Sequence, residues 1–286
     1  MADDVLEVGF ASPISPGLPV EVARHADIVE RMGLDHFSTA QRPSFGVLFV
    51  VRGGSGVHTV DFDQVNLARN KMVFVRPGQL SQWHRGRSLN ANVVIARAEL
   101  CRVSEWFPGD ASHVDLDADS AASVADLVSV LEREQARFRS DSASVRLVGD
   151  VFSALLDVFD LAAPATPLTE LPEAYTAYRR AVEAGLGRSR DARWFIRDLG
   201  FSERTVTRAC QLVTGLTAKG VLDQRVMLEA KRLLAHTDRP VGSIGLSLGF
   251  AEASNFNTFF ARHASVIPSQ FRADLRAIGW LAETPA

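Results

Sequence analysis

The stretch VGSIGLSLGFAEASNFNTFFARHASVIPSQFR, residues 241–272, decides how the C-terminal part of the chain folds. It predicts two short helices separated at Gly249, because glycine readily adopts the left-handed conformation that ends a helix. In the second helix, one face follows the i, i+3, i+4, i+7 spacing and consists of Phe256, Phe259, Phe260 and His263. Two helices joined by a tight glycine turn predict a helix-turn-helix.

A similar unit occurs earlier, in WFIRDLGFSERTVTRACQLVTG at residues 194–215. Both units carry Leu-Gly-Phe at the turn, at residues 199–201 and 248–250. Ser202 is predicted to cap the second helix of the earlier unit by accepting from a free backbone N–H. A single unit of this kind could be a plain helical hairpin, whereas two of them in one segment favour DNA reading.

The outward faces of the two second helices carry side chains that can read DNA. We expect DNA contacts from Arg204, Thr207, Arg208, Gln211, Ser254, Asn255, Thr258 and Arg262. Arginine pairs with guanine through two hydrogen bonds, and Asn and Gln pair with adenine in the same way. Ser, Thr and Arg also bind phosphates. Ordinary solvated surface residues are the alternative interpretation of these positions.

The charge distribution is consistent with a polyanion partner for the C-terminal part. From Glu173 to the end there are 16 Lys and Arg against 11 Asp and Glu, whereas the rest of the chain has 15 against 23. The overall charge of −3 therefore hides a basic C-terminal part on an acidic protein.

The motifs LGFSERTVTR, TGLTAKGVL, RVMLEAKRLLAHTDRPVGSIGLSLGF, NFNTFF and IPSQFR resemble the DNA-binding domain of the AraC/XylS family of bacterial transcription regulators. The resemblance covers residues 177–275. It implies two helix-turn-helix units joined by one long helix, here KGVLDQRVMLEAKRLLAHT at 219–237, with the recognition helices entering successive major grooves. The implied contacts come from Arg204, Thr207, Arg208, Ser254, Asn255 and Thr258.

The chain departs from the family pattern at four positions. Family members often have alanine where Ile196 and Gly245 stand, a large apolar residue where Cys210 stands and glycine where Ser265 stands. The first unit is therefore the less typical of the two.

Residues 45–97 read as short strands separated by turn residues, which predicts a sandwich or small barrel. The segment 50–84 resembles the cupin-like barrel that senses a small molecule in many members of the family. A sensing barrel needs a mostly apolar cavity with a few polar anchors. Our candidate effector contacts are His58, Arg76 and Trp83.

The same segment lacks the metal ligands of cupin enzymes. His58 has no second histidine two residues later, and Ser81 stands where a later histidine commonly falls. We therefore expect no metal, no cofactor and no enzyme activity. The alternative function is a cupin-type enzyme or effector-binding protein with a vestigial DNA-binding tail. A third is a regulator that responds only to a protein partner.

The predicted fold class is α+β multidomain, with an N-terminal cupin-like β-barrel, appended helices and a C-terminal all-α domain. We expect the effector-sensing barrel at 1–115, a helical dimerisation segment at 116–162, a proline-rich linker at 163–176 and the DNA-binding domain at 177–275. The alternative to dimerisation is that the apolar stripes of 116–162 pack on the barrel.

The expected partners are double-stranded DNA, a small-molecule effector and a second copy of the chain in a homodimer, with RNA polymerase as a further candidate. The sequence has no apolar run of 18 residues, so no membrane partner is expected. The N-terminal stretch MADDVLEVGF lacks the basic region of a secretory signal, and two cysteines are too few for a disulfide framework. These features predict a cytoplasmic protein.

Overall fold

The computed structural model describes residues 7–8, 17–33, 40–84, 89–101, 110–163 and 171–277. They form two compact units. The first comprises the described residues of 6–103 and 111–164, and the second comprises those of 165–286 together with Asp110.

The first unit contains β-strands followed by helices. Its strands are β1 Glu7–Val8, β2 Val20–Arg24, β3 Arg42–Pro43, β4 Gly46–Gly53, β5 Gly56–Val60, β6 Asp63–Leu67, β7 Lys71–Val75, β8 Ser81–His84, β9 Asn90–Ala96 and β10 His113–Asp115. Its helices are α1 His25–Met32, α2 Ala118–Ala136 and α3 Ser142–Ala162, with a 3-10 turn at Ala98–Leu100.

A five-stranded antiparallel sheet in the order β10-β7-β4-β9-β2 forms the centre of this unit. Side chains alternate across a strand, so β4 directs Leu48 and Val50 to one face, and Phe49 and Val51 to the other. The first pair packs with α2 and α3. The second pair packs with the three-stranded sheet β6-β5-β8. Both faces are covered, which explains the nearly continuous apolar sequence of β4.

The prediction of a β-rich front part with appended helices is confirmed, but the barrel is not closed. Among the described strands, the five-stranded and three-stranded sheets share no hydrogen-bonded pair of strands. They enclose an apolar core between them, as in a sandwich. The apolar stripes of 116–162 lie against the five-stranded sheet. Their buried side therefore packs on the sheet, which is the alternative to dimerisation.

The second unit is helical throughout its described length. Its helices are α4 Glu173–Ala184, α5 Ala192–Ile196, α6 Glu203–Thr214, α7 Ala218–His236, α8 Val241–Ser247, α9 Ala253–Ala264 and α10 Pro268–Ala277. The long helix α7 contributes Val221, Leu222, Val226 and Ala230 to the core of this unit, each with no exposed surface. The predicted linker, 163–176, extends too far at its C-terminal end, because α4 already begins at Glu173. In the described ranges, no helix is both long and apolar enough to cross a membrane.

The packing of α3 on the five-stranded sheet can be tested with Phe152→Ala. Phe152 has no exposed surface, and its ring lies edge-on to Phe74 at 6.5 Å. The cavity left by the truncation should lower the free energy of unfolding by ~3–5 kcal/mol. Leu161→Ala is the control on the same helix, because Leu161 is 85% exposed. Urea unfolding measures both variants, and equal stabilities would contradict this packing.

Candidate nucleic-acid interface and ligand cavity

The first helix-turn-helix consists of α5 and α6. Gly200 lies between them with a φ of +75°, in the left-handed region that glycine tolerates. The side chain of Ser202 accepts from the backbone N–H of Thr205 at 3.1 Å, so the predicted cap of α6 is confirmed.

The second helix-turn-helix consists of α8 and α9, with Gly249 at a φ of +83° between them. A Cβ on Gly245 would lie 2.8 Å from the Cβ of Phe256, closer than real contacts of this kind. Gly245 therefore allows Phe256 to pack directly against the backbone of α8. Ser265 ends α9 with a φ of +61°, where glycine would be less strained.

The two recognition helices, α6 and α9, bury one face and expose the other. Val206, Ala209 and Cys210 are buried on α6, and Phe256, Phe259 and Phe260 are buried on α9. Burial raises the pKa of the Cys210 thiol to about 12, so this cysteine is an inert core residue. His263 was predicted to face inward, but it is exposed, with its ring 4.6 Å from Phe259.

All eight predicted DNA contacts lie on the outward faces. Arg204, Arg208, Gln211, Ser254, Asn255, Thr258 and Arg262 are exposed, and Thr207 is half-buried. On α9 the hydroxyl of Ser254 donates to Glu252 at 3.1 Å, and the hydroxyl of Thr258 donates to the carbonyl of Ser254 at 3.0 Å.

A cavity of about 120 Å³ lies in the first unit. Its wall is mostly apolar and is formed by Ile28, Met32, Pro43, Phe45, Val47, Phe49, Trp83, Val93 and Ile95. Four polar residues complete the wall, namely His25, Arg31, Gln41 and Ser81. An apolar wall with a few polar groups is the usual chemistry of a small-molecule site.

An aromatic cluster supports one side of this cavity. His25 stacks on Trp83 with ring centres 4.4 Å apart, and burial lowers the pKa of His25. The His25 ring is therefore neutral near pH 7. The Nε2 atom of His58 lies 3.1 Å from the hydroxyl of Ser81, and the His58 ring meets Trp83 edge-on at 5.1 Å.

The three predicted effector contacts occupy three different environments. Trp83 lines the cavity, and His58 supports the wall from behind through Ser81 and Trp83. Arg76 is on the helix side of the five-stranded sheet, with its guanidinium 5.0 Å from the Phe74 ring and donating to the carbonyl of Ala111 at 3.0 Å. The alternation of β7 extends to Arg76 and turns it away from the cavity.

Sequence reasoning missed the contribution of α1. Its residues His25, Ile28, Arg31 and Met32 line the cavity. The segment HADIVERM places them at spacings of three and four, which would have predicted one helix face. In the described part of the chain, no group of three or more His, Cys, Asp or Glu residues is arranged to hold a metal ion.

Comparison with known proteins matches residues 195–274 to a family model described as a helix-turn-helix domain. The chain is 25% identical to the HTH-type transcriptional activator RhaR of Klebsiella pneumoniae over 82% of this chain and 86% of that protein. It is 34% identical to the HTH-type transcriptional activator RhaS of Salmonella paratyphi B over 27% of this chain and 28% of that protein.

Two solved structures are also similar. ToxT from Vibrio cholerae matches 89% of this chain and 97% of its own, with a TM-score of 0.42 and 12% identity. An AraC-type transcriptional regulator from Chromobacterium violaceum matches 36% of this chain and 91% of its own, with a TM-score of 0.34 and 22% identity.

The outward faces of α6 and α9 can be tested with Arg208→Ala and Asn255→Ala. Each should weaken specific DNA binding by ~1–3 kcal/mol, because each removes a side chain that can bind a base edge with two hydrogen bonds. Both residues are exposed, so folding should be unaffected. Arg137→Ala is the charge-matched control, since Arg137 is exposed on the first unit. Electrophoretic mobility shift with selected duplexes measures the affinities, and unchanged binding in both variants would contradict the assignment.

Proposed function

We propose that this DNA-binding transcription regulator, whose residues 195–274 form an AraC-type helix-turn-helix domain, is controlled by a small molecule bound in the cavity of its first unit. The observation that carries the DNA-reading role is the pair of recognition helices with buried apolar inner faces and exposed polar outer faces. The cavity carries the regulatory part of the proposal.

The size of the cavity indicates the class of effector. At about 120 Å³ it is close to an engineered apolar cavity of about 150 Å³ that binds benzene. We infer an effector with one ring or a short branched chain. Trp83 and Phe49 offer aromatic faces, while Ser81 and Gln41 offer hydrogen bonds to a single polar group.

Such an effector would act by shifting a conformational equilibrium. A ligand favours whichever arrangement of the protein it binds more tightly, by no more than its differential affinity for the two arrangements. The effect on operator affinity is then a coupling between two sites in different units. No bond in the effector has to break, so we propose a regulator that does not convert its ligand.

A homodimer that acts in the cytoplasm completes the proposal. The inner stripe of 116–162 is covered by the five-stranded sheet, so a dimer would use the outer side. Val145 and Leu147 are large apolar residues exposed on α3 and support that use. RNA polymerase is a further proposed partner, because the relatives RhaR and RhaS are described as transcriptional activators.

The effector hypothesis can be tested with Val93→Phe. Val93 lines the cavity and is 3% exposed, so the larger ring should occupy the space of the effector. A library of single-ring acids, amines and phenols is first screened against the wild-type chain by thermal shift. A hit should change operator affinity by ~5–150-fold in the wild type and have little effect in Val93→Phe.

Val57→Phe is the matched control, because it makes the same change at a half-buried residue of β5 that does not line the cavity. This control should respond to the hit like the wild type, and urea unfolding should confirm that both variants are folded. An equal response of Val93→Phe and Val57→Phe would contradict the cavity as the effector site.

A further inference from the structure

Arg190 lies where the two helix-turn-helix units meet. It immediately precedes Asp191, whose side chain caps α5 by accepting from the backbone N–H of Arg193 at 3.0 Å. The Arg190 guanidinium lies 4.6 Å from the ring centre of Phe250 and 4.6 Å from that of Phe259. An arginine just before the first helix-turn-helix therefore stacks on the turn and the recognition helix of the second helix-turn-helix.

The long helix provides the charge partner of this arginine. Arg190 forms an ion pair with Asp223 of α7, which also pairs with Lys219. The side chains of Arg190 and Asp223 are only 16% and 11% exposed. Burial lowers the pKa of Arg190, and the pairing with Asp223 opposes that shift. A buried charge held by one carboxylate and two aromatic faces has a narrowly defined position.

The backbone makes a second, independent contact between the two helix-turn-helix motifs. Gly187 has a φ of +85°, and a Cβ there would overlap the carbonyl oxygen of Ser247. Gly249 has a φ of +83°, and a Cβ there would lie 2.8 Å from the carbonyl oxygen of Gly187. The loop before α5 and the turn after α8 therefore approach so closely that a side chain at either glycine would require the backbone to shift.

We propose that Arg190 and Gly187 act as positioning residues that fix the spacing at which the two recognition helices read DNA. The inference rests on the DNA-reading role of both helices. A change of one base pair between the two sub-sites rotates the second by ~35° about the DNA axis, since B-DNA has 10–10.5 base pairs per turn. A protein with a rigid junction cannot follow that rotation, whereas one with a loosened junction can.

The experiment is selection of bound duplexes from a random-sequence DNA library with the full chain. The wild type should recover two sub-motifs at one fixed spacing. Arg190→Gln removes the ion pair and the charge on the rings, and Gly187→Ala forces the two backbones apart. Both variants should recover the same two sub-motifs spread over several spacings.

Gly215→Ala is the matched control for the glycine variant. Gly215 follows α6 with a φ of +73°, so alanine is similarly strained there, but a Cβ would meet nothing within 4 Å. This variant should keep the single spacing, which separates loss of the junction from general destabilisation. Binding to a duplex with one sub-motif should be unchanged in Arg190→Gln, whereas a single spacing in both Arg190→Gln and Gly187→Ala would overturn the proposal.

The affinities give a second readout. Inserting one base pair between the sub-motifs should cost the wild type about tenfold or more, because the base contacts of one helix are lost. The same insertion should cost Arg190→Gln much less, and an equal cost would also overturn the proposal. Failure of the wild type to enrich any motif would overturn the DNA-reading function and, with it, this inference.

Discussion

The stacking of Arg190 on Phe250 and Phe259, with Asp223 as its charge partner, is the interaction on which the geometry of the second unit depends. The long helix α7 links the two helix-turn-helix motifs through the chain. A single connecting helix does not fix how the two motifs are rotated about its axis, so side-chain packing has to fix that rotation. A buried arginine that contacts all three parts restricts that rotation. The exposed polar faces of α6 and α9 can then act together on one duplex.

The five-stranded sheet has a comparable role in the first unit. One face receives α2 and α3, and the other forms part of the cavity wall through Val47, Phe49, Val93 and Ile95. A close-packed interior has low compressibility and transmits strain, and both faces of this sheet share the same strands. We propose that a ligand in the cavity acts on the strands that carry the helical layer.

Local patterns predicted the second unit better than the first. Ser202 and Gly249 determine their own surroundings, so capping and turn chemistry could be read from the sequence. The sequence did not indicate that Arg76 lies outside the cavity, because its environment depends on which face of β7 it extends. The cavity-lining face of α1 was not indicated either, because that face is defined by the sheet opposite it. The contact of Arg190 joins residues far apart in the chain, and no local period indicates it.

Mapping of the DNA bound by the chain in living cells, at base-pair resolution, tests the central claim most directly. We expect a shared motif with two sub-motifs whose centres lie about 10–10.5 base pairs apart, because the two recognition helices of one chain are proposed to enter successive major grooves. Arg208→Ala and Asn255→Ala should each degrade a different sub-motif. Bound regions with no common motif, or a motif that both variants leave intact, would contradict the claim that both recognition helices read DNA.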